Sequence, residues 1–241
     1  MSRSTIIATI ITVLAFASLV KLGLWQLERA DEKQALFDDF DRAQQQQQWS
    51  PLTRSKQLPD RYQGVSIQGQ FQPQRYFLLD NQIENGRVGY HVIGLLDADF
   101  DDVDTRTIVP VNLGWVSLGA GRAQLPAVTL PSGSITVNGW FYQPTESPFI
   151  RADQLLELGP WPMRIQHLNP ELLSAALELS IAPYVVLLSE TESFGFPRQW
   201  QPNLMPPEKH RAYAVTWFSL ALACLIIALI AGRSRTTTTE E

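Results

Sequence analysis

Residues 212–231 read AYAVTWFSLALACLIIALIA, and this stretch decides the fold of the chain. It contains no charged side chain, and as an α-helix it is long enough to cross the hydrocarbon core of a bilayer, about 30 Å thick. The charged segment Glu208–Arg211 precedes it, and aromatic residues lie near its start, as is typical of a membrane interface. We predict a transmembrane helix at 212–231, followed by a tail at 232–241.

A second apolar stretch occupies residues 5–20 and continues past Lys21 to Trp25. Two interpretations are open. The short apolar region followed by the triplet Ala15-Phe16-Ala17 is similar to a secretory signal peptide with its cleavage site. An uncleaved anchor would instead use the full length to Trp25, with the Lys21 ammonium group extended to the interface. We favour the anchor and predict a transmembrane helix at 5–25.

Two spans place both termini on one side of a membrane and the middle of the chain on the other. Basic residues flank the spans on both sides, so charge alone does not set the orientation. A connecting domain of this length is translocated largely regardless of its charge. With no Arg-rich presequence before the first span, we predict a bacterial inner-membrane protein whose large domain is periplasmic and whose termini are cytoplasmic.

Between the spans the hydrophobic period changes from helical to two. Residues 26–48 are predicted as a charged helical stalk, and residues 49–209 as the periplasmic domain. Its predicted strands are 65–71, 75–79 after a turn at Pro73, 90–96, 107–118, 134–142 and 184–188. Helical patterns occupy 155–158 and 169–179, with Asn169 as N-cap and Pro170 first in the helix, and extended linkers occupy 195–197 and 201–207. The predicted fold is two transmembrane α-helices flanking a mainly antiparallel β (α+β) extracytoplasmic domain, either a sandwich or an open barrel.

Composition excludes several classes of function. The net charge is −5, and the segment from Trp25 to Lys209 has 14 Lys and Arg against 22 Asp and Glu, so nucleic acid is not a predicted partner. The single cysteine, Cys224, leaves no intrachain disulfide. With three histidines, no Gly-x-Ser-x-Gly and no His-x-x-x-His, a zinc site or a serine triad lacks its components. We predict that the protein is not an enzyme.

Two short motifs suggest ligand binding but lack essential parts. The aspartates of Asp97–Asp104 have the alternate spacing of a calcium loop, but the glycine and glutamate that such a loop needs are missing. We interpret them as a solvated turn. Gly119–Arg122 lacks the third glycine and the βαβ context of a nucleotide loop.

The helix ends at the membrane surface carry the more informative side chains. Trp25, Gln26, Arg29 and Lys33 share one face of the first helix. His210 lies one turn before the second span, on the face of Trp217 and of Tyr213 or Ala214. A helix N-terminus favours neutral imidazole, the form that ligates metal. His210 is therefore either an ordinary interfacial residue or a ligand for haem, whose ring suits aromatic and small residues and whose propionates suit cations.

Four short segments, in order, are similar to motifs of the surfeit locus protein 1 family. They are Leu24–Arg29 with Lys33, Gly86–Val92, Val109–Val116, and His210 with Tyr213-Ala214 and Trp217-Phe218. The chain departs from the family pattern at Leu113, where an arginine is usual, and at Pro206–Lys209, where the family is asparagine-rich. We interpret Gly114-Trp115 as fixing a strand bend.

The resemblance implies a cytochrome c oxidase assembly factor, a chaperone of respiratory-chain biogenesis that works with other assembly factors while haem a is placed in the catalytic subunit. The family's proposed haem contact corresponds to His210. The predicted site is His210 as axial ligand of the haem iron, Arg211 or Arg29 at the propionates, Trp217 and Tyr213 against the ring, and Trp25 and Gln26 on the facing helix.

Two alternatives remain open. One is a membrane-anchored scaffold of oxidase biogenesis that binds no cofactor and docks a partner through its acidic domain. The other is a membrane-tethered enzyme of envelope metabolism, for which the sequence contains no recognisable catalytic cluster.

Overall fold

The computed structural model of the chain describes residues 3–53, 57–100, 107–119, 124–144, 159–202 and 205–236. Its internal contacts divide the chain into two compact units. We call residues 1–41 and 201–241 the helical unit, and residues 42–200 the β unit.

Two long helices run through the helical unit. Helix α1 is Arg3–Gln46, whose last residues belong to the β unit, and helix α3 is Pro207–Thr236. Both are long and apolar enough to cross a membrane. Apolar side chains on both helices are largely exposed, for example Ile11 at 61% and Ile227 at 66%, as lipid-facing residues are. Helix α1 continues from the predicted span through the predicted stalk without a break, because the stalk is rich in strong helix formers.

Helix α3 begins at Pro207, five residues before the predicted span. Pro207 was predicted to lie in the extended linker, and this prediction was wrong. Proline is tolerated at the first helical position, where the N–H that it lacks would have no intrahelical partner. Glu208 follows in the first turn, where the helix dipole favours a negative charge.

One seven-stranded sheet forms the framework of the β unit. Its strands are β1 Ser50–Pro51, β2 Gly64–Glu84, β3 Arg87–Ala98, β4 Thr107–Ser117, β5 Ser134–Tyr142, β6 Met163–Ile165 and β7 Val185–Leu188. The order β2-β3-β4-β7-β5 closes on itself because β2 also pairs with β5. Only the β4–β7 pair of this ring is parallel, and short β1 and β6 add to β2 in parallel. The predicted fold class is confirmed, with the barrel closed.

Strand β2 runs through Pro73, so the predicted turn there was wrong. Phe71 lies opposite Leu96, and Tyr76 lies opposite Gly94, so β2 carries three more residues than β3 over this interval. These residues form a bulge, where proline's missing N–H costs no ladder hydrogen bond. The bulge lets one strand pair with β5 in its first half and with β3 along most of its length.

Strand β3 is buried on both faces of the sheet. Val92 and Leu96 belong to a large apolar cluster to which all five ring strands contribute. Ile93 and Leu95 belong to a second cluster, together with Leu173 of helix α2. This helix, Pro170–Leu177, was predicted, and the Asn169 side chain caps it by accepting a hydrogen bond from the Leu172 N–H at 3.1 Å.

Several predicted features lie outside the described residues. These are the helical pattern at 155–158, residues 101–104 of the acidic motif and residues 120–122 of the glycine motif. Short strands β1 and β6 were not predicted, because two or three residues carry no periodicity.

Candidate functional site

Helices α1 and α3 approach each other closely at small residues. A Cβ atom added to Gly23 of α1 would lie 2.5 Å from the Phe218 ring of α3. Ala214 and Ala221 of α3 are buried, at 1% and 3% exposure. Small side chains permit this approach, as they commonly do between membrane helices. The role of Gly23 was not predicted.

A hydrogen bond joins the two helices near the N-terminus of α3. The His210 Nδ1 atom lies 2.8 Å from the Gln26 Oε1 atom, and both residues are half-buried. A glutamine Oε1 atom only accepts hydrogen bonds, so Nδ1 is the donor in this contact, and in the neutral form of the ring it carries the single ring proton. The Nε2 atom then holds a lone pair, and it has no hydrogen-bond partner in the described part of the chain.

A second glutamine of α1 contacts the neighbouring residue of α3. Arg211 Nη2 donates to Gln34 Oε1 at 3.3 Å, and this pair is exposed. Gln34 was not predicted as part of the site. Its only sequence signal is a position about two helical turns after Gln26. Together the two contacts place successive residues of α3 against two glutamines of α1.

Arg29 carries an unsatisfied donor. Its Nη1 group forms an ion pair with Glu32, and its guanidinium carbon lies 5.9 Å from the centre of the Trp25 ring. Its Nε atom is buried and has no partner among the described residues. A buried N–H without an acceptor is costly, and an anionic acceptor would relieve that cost.

The aromatic residues of the predicted site differ in their exposure. Trp25 and Tyr213 are about half exposed, at 46% and 50%, whereas Trp217 is half-buried. The structure therefore brings Gln26 and His210 together and pairs Arg29 with Trp25 beside them. It does not bring Trp25 or Tyr213 against the imidazole, and their predicted contact with a ligand stays a prediction.

The β unit contains a second histidine site, centred on His91. Its Nδ1 atom lies 3.2 Å from the Asn112 Nδ2 atom, which can only donate, so His91 carries its proton on Nε2. The Trp200 ring packs edge-on against the imidazole with centroids 5.5 Å apart. Burial lowers the pKa of His91 from 6.5 to about 4, which keeps the ring neutral.

A bend in β4 supports this second site. Gly114 has φ +112°, and a Cβ atom there would lie 2.5 Å from the Phe196 carbonyl oxygen. Its N–H donates to Asn112 Oδ1 at 3.2 Å, which orients the amide toward His91. The register between β3 and β4 shifts at this point, in agreement with the predicted strand bend. Asn112 and Trp200 were not predicted as partners of His91.

The β-unit motifs of the predicted family meet in this region, since His91 lies opposite Trp115 and Tyr90 lies opposite Val116. The helix motifs meet separately at Gln26 and His210. The model of the SURF1 family matches residues 13–222, which include all four motifs. The chain belongs to the SURF1 family. A SURF1-like protein of Rickettsia felis is 24% identical to it over 250 residues, covering 93% of this chain and 96% of the relative.

The structure accounts for leucine at position 113, which departs from the SURF1 family pattern. Leu113, at the position where an arginine is usual, is 1% exposed and belongs to the large apolar cluster of the β unit. Its backbone carbonyl accepts a hydrogen bond from the Phe196 N–H at 2.8 Å. Leucine at this position therefore contributes apolar packing next to the β4 bend.

Proposed function

We propose that the protein is a cytochrome c oxidase assembly factor that assists delivery or insertion of haem a into the catalytic subunit. Membership of the SURF1 family supports the general role in oxidase assembly. The handling of haem a is the finer part of the proposal. It assigns no catalytic step to the chain, and its partners are the oxidase catalytic subunit and other assembly factors.

The observation that carries the proposal is the hydrogen bond between His210 Nδ1 and Gln26 Oε1. It leaves the Nε2 lone pair of a neutral imidazole open, and this is the donor that haem iron takes from histidine. A ligating histidine in proteins usually donates its other N–H to a carbonyl or carboxylate, as His210 does. The donor set of the chain fits the cofactor at this point.

The charged groups near His210 also fit haem. Haem supplies an iron that accepts a nitrogen ligand and propionate carboxylates that accept hydrogen bonds. The buried Nε–H of Arg29 lacks an acceptor, and Arg211 is exposed, so either cation is available to a carboxylate. Trp217, Tyr213 and Trp25 are the aromatic residues proposed to pack against the ring.

We further propose that the protein lies in a bacterial inner membrane, with the β unit in the periplasm and both termini in the cytoplasm. The two long apolar helices support membrane anchoring. In this arrangement His210 and Gln26 lie at the periplasmic end of the spans, because Gln26 directly follows the first apolar stretch and His210 lies two residues before the second.

The first test is a reduced-minus-oxidised spectrum of the protein purified in mild detergent from cells that make haem a. We expect a haem signal in the wild type, its loss in His210→Ala, and its retention in His167→Ala. His167 is an exposed histidine of the β unit and serves as the matched control. Equal loss in both variants would show that the signal does not depend on the proposed ligand.

The same preparation tests the scaffold alternative. A wild-type protein that carries no haem but still co-purifies with oxidase subunits would reject haem handling and support a cofactor-free scaffold. A specific feature of the β unit is compatible with docking. At the β2–β3 hairpin tip, the cross-strand pair Ile83 and Val88 is exposed, at 70% and 41%.

A further inference from the structure

The contact between Gln26 and His210 constrains the imidazole in a way that the position of a histidine at a helix end alone does not. The two residues lie 184 positions apart in the sequence, on different helices, and their side chains meet at 2.8 Å. Both are half-buried, so the bond is partly shielded from water. The position of one imidazole proton is therefore set by a residue of the other helix.

The direction of this bond decides which ring nitrogen can act as a ligand. A neutral imidazole carries one proton, and its other nitrogen holds the lone pair. With the Gln26 oxygen facing Nδ1, the proton is on Nδ1 and Nε2 is free to ligate. If the amide were turned so that its NH₂ group faced Nδ1, the proton would move to Nε2 and block it. The orientation of the Gln26 amide thus determines which ring nitrogen of His210 can act as the ligand atom.

We propose that Gln26 is a positioning residue that holds His210 in the Nδ1–H tautomer and so keeps Nε2 available as the ligand atom. The inference rests on the proposed haem-handling function. Hydrogen-bond acceptors behind a ligating histidine fix its tautomer and ring orientation and increase its basicity, and their loss lowers metal affinity about 10- to 100-fold. Gln26 then contributes to ligand binding without contacting the ligand.

The chain offers a matched control for a purely structural role of the amide. Gln34 is also on α1, also presents its Oε1 atom to α3, and accepts a hydrogen bond from Arg211 at 3.3 Å. It does not contact His210. Gln34→Leu removes one inter-helix hydrogen bond, as Gln26→Leu does, but leaves the acceptor for His210 in place.

The test is ¹⁵N NMR of the ligand-free full chain, labelled at histidine, in detergent micelles. At about pH 8.5, two units above the ordinary imidazole pKa of about 6.5, histidine rings are mostly neutral. The protonated nitrogen then resonates well upfield of the nitrogen that holds the lone pair. The His210 signals are assigned by their absence from His210→Ala, which separates them from those of His91 and His167.

We expect wild type, Gln34→Leu and Gln26→Glu to have the His210 proton on Nδ1, because a carboxylate accepts the same hydrogen bond. Gln26→Leu is expected to move a large part of the population to the Nε2–H tautomer. The inference is overturned if wild type already has the proton on Nε2. It is also overturned if Gln26→Leu leaves the Nδ1–H tautomer unchanged.

A titration of the same four proteins with haemin separates this inference from the proposed function. We expect haemin binding about 10- to 100-fold weaker in Gln26→Leu than in wild type, and binding within a few-fold of wild type in Gln26→Glu and Gln34→Leu. If the tautomer changes while affinity does not, the positioning role is wrong and haem handling stands. If wild type binds no haemin, the proposed function is wrong, and the tautomer result alone decides what Gln26 does.

Discussion

His210 and His91 both form a hydrogen bond through Nδ1 to a side-chain amide, but the amide is used in opposite senses. Gln26 presents its oxygen to His210, which leaves Nε2 with a lone pair. Asn112 presents its NH₂ group to His91, which places the ring proton on Nε2. The chemical role of each histidine is therefore decided by its hydrogen-bond partner and not by its presence in a motif.

The surroundings of the two histidines reinforce the difference. His91 lies against Trp200, and the Gly114 N–H fixes the amide of Asn112. His210 is half-buried on a helix whose neighbouring side chains include exposed Tyr213 and Arg211. We therefore expect changes around His91 to reduce stability, and changes around His210 to reduce ligand binding.

The largest expected effect is that of Gly114→Ala on stability. A side chain at φ +112° is strained, and its Cβ atom would collide with the backbone of Phe196, which cannot move aside cheaply. We expect a loss of about 3–5 kcal/mol in the free energy of unfolding. Thermal unfolding in detergent, followed by tryptophan fluorescence, measures it.

Gly133→Ala is the control for this change. Gly133 also has a positive φ, +82°, but nothing lies within 4 Å of an added Cβ atom. Gly133→Ala should lower the free energy of unfolding by about 1 kcal/mol, from backbone strain alone. Equal losses at the two positions would mean that the Gly114 contact with Phe196 does not constrain the β4 bend.

The next effect is a dependence of stability on pH that arises from His91. Its pKa is lowered to about 4 by burial, so the unfolded chain binds a proton below about pH 6.5 while the folded chain does not. The contribution of neutral His91 to the free energy of unfolding is fully present above pH 6.5. It is lost as the pH falls toward 4, by at most about 3 kcal/mol.

This loss is measured as the difference between wild type and His91→Gln in urea unfolding over that pH range, because carboxylates titrate in both proteins. The difference in unfolding free energy should shrink as the pH decreases. A difference that is constant between pH 6.5 and 4 would contradict a neutral, buried His91.

A smaller effect comes from replacing each histidine with leucine. His91→Leu leaves the buried Asn112 Nδ2 group without its acceptor and should cost about 2 kcal/mol. His210→Leu leaves Gln26 in a half-buried position accessible to water and should cost less than about 1 kcal/mol. The haem signal should decrease more in His210→Leu than in His91→Leu. Equal destabilisation by the two variants would remove the distinction between a structural and a ligand-binding histidine.

The parts of the fold that follow from periodicity could be predicted from the sequence. The apolar run of α3, the largely apolar run of β4 and the alternation at the start of β5 are signals that extend over several residues. The course of β2 through Pro73 could not be predicted, because the bulge depends on how many residues β3 supplies opposite it.

The candidate site could be predicted only in part, for the same reason. Spacing placed Gln26 and His210 on helix faces, and family resemblance connected them to one ligand. Neither could indicate that their side chains meet, since a contact across 184 residues depends on how α1 packs against α3. Trp200, which follows a proline-containing linker, gave no sequence signal for its contact with His91.

The smallest expected effect is that of Gly23→Ala in the helical unit, which is the same glycine-to-alanine change as Gly114→Ala in the β unit. The added Cβ atom would collide with the Phe218 ring, but a ring at the end of a side chain can rotate away, whereas the backbone of Phe196 cannot. Alanine also favours helix over glycine by about 1 kcal/mol, which offsets the displacement of the ring. We therefore expect the unfolding free energy to change by less than about 1 kcal/mol, or by a few degrees in thermal unfolding. A loss as large as that of Gly114→Ala would mean that the helix pair is as rigidly packed as the barrel. In that case the histidine of the helical unit would be held as firmly as His91, and the contrast between the two sites would rest on hydrogen-bond direction alone.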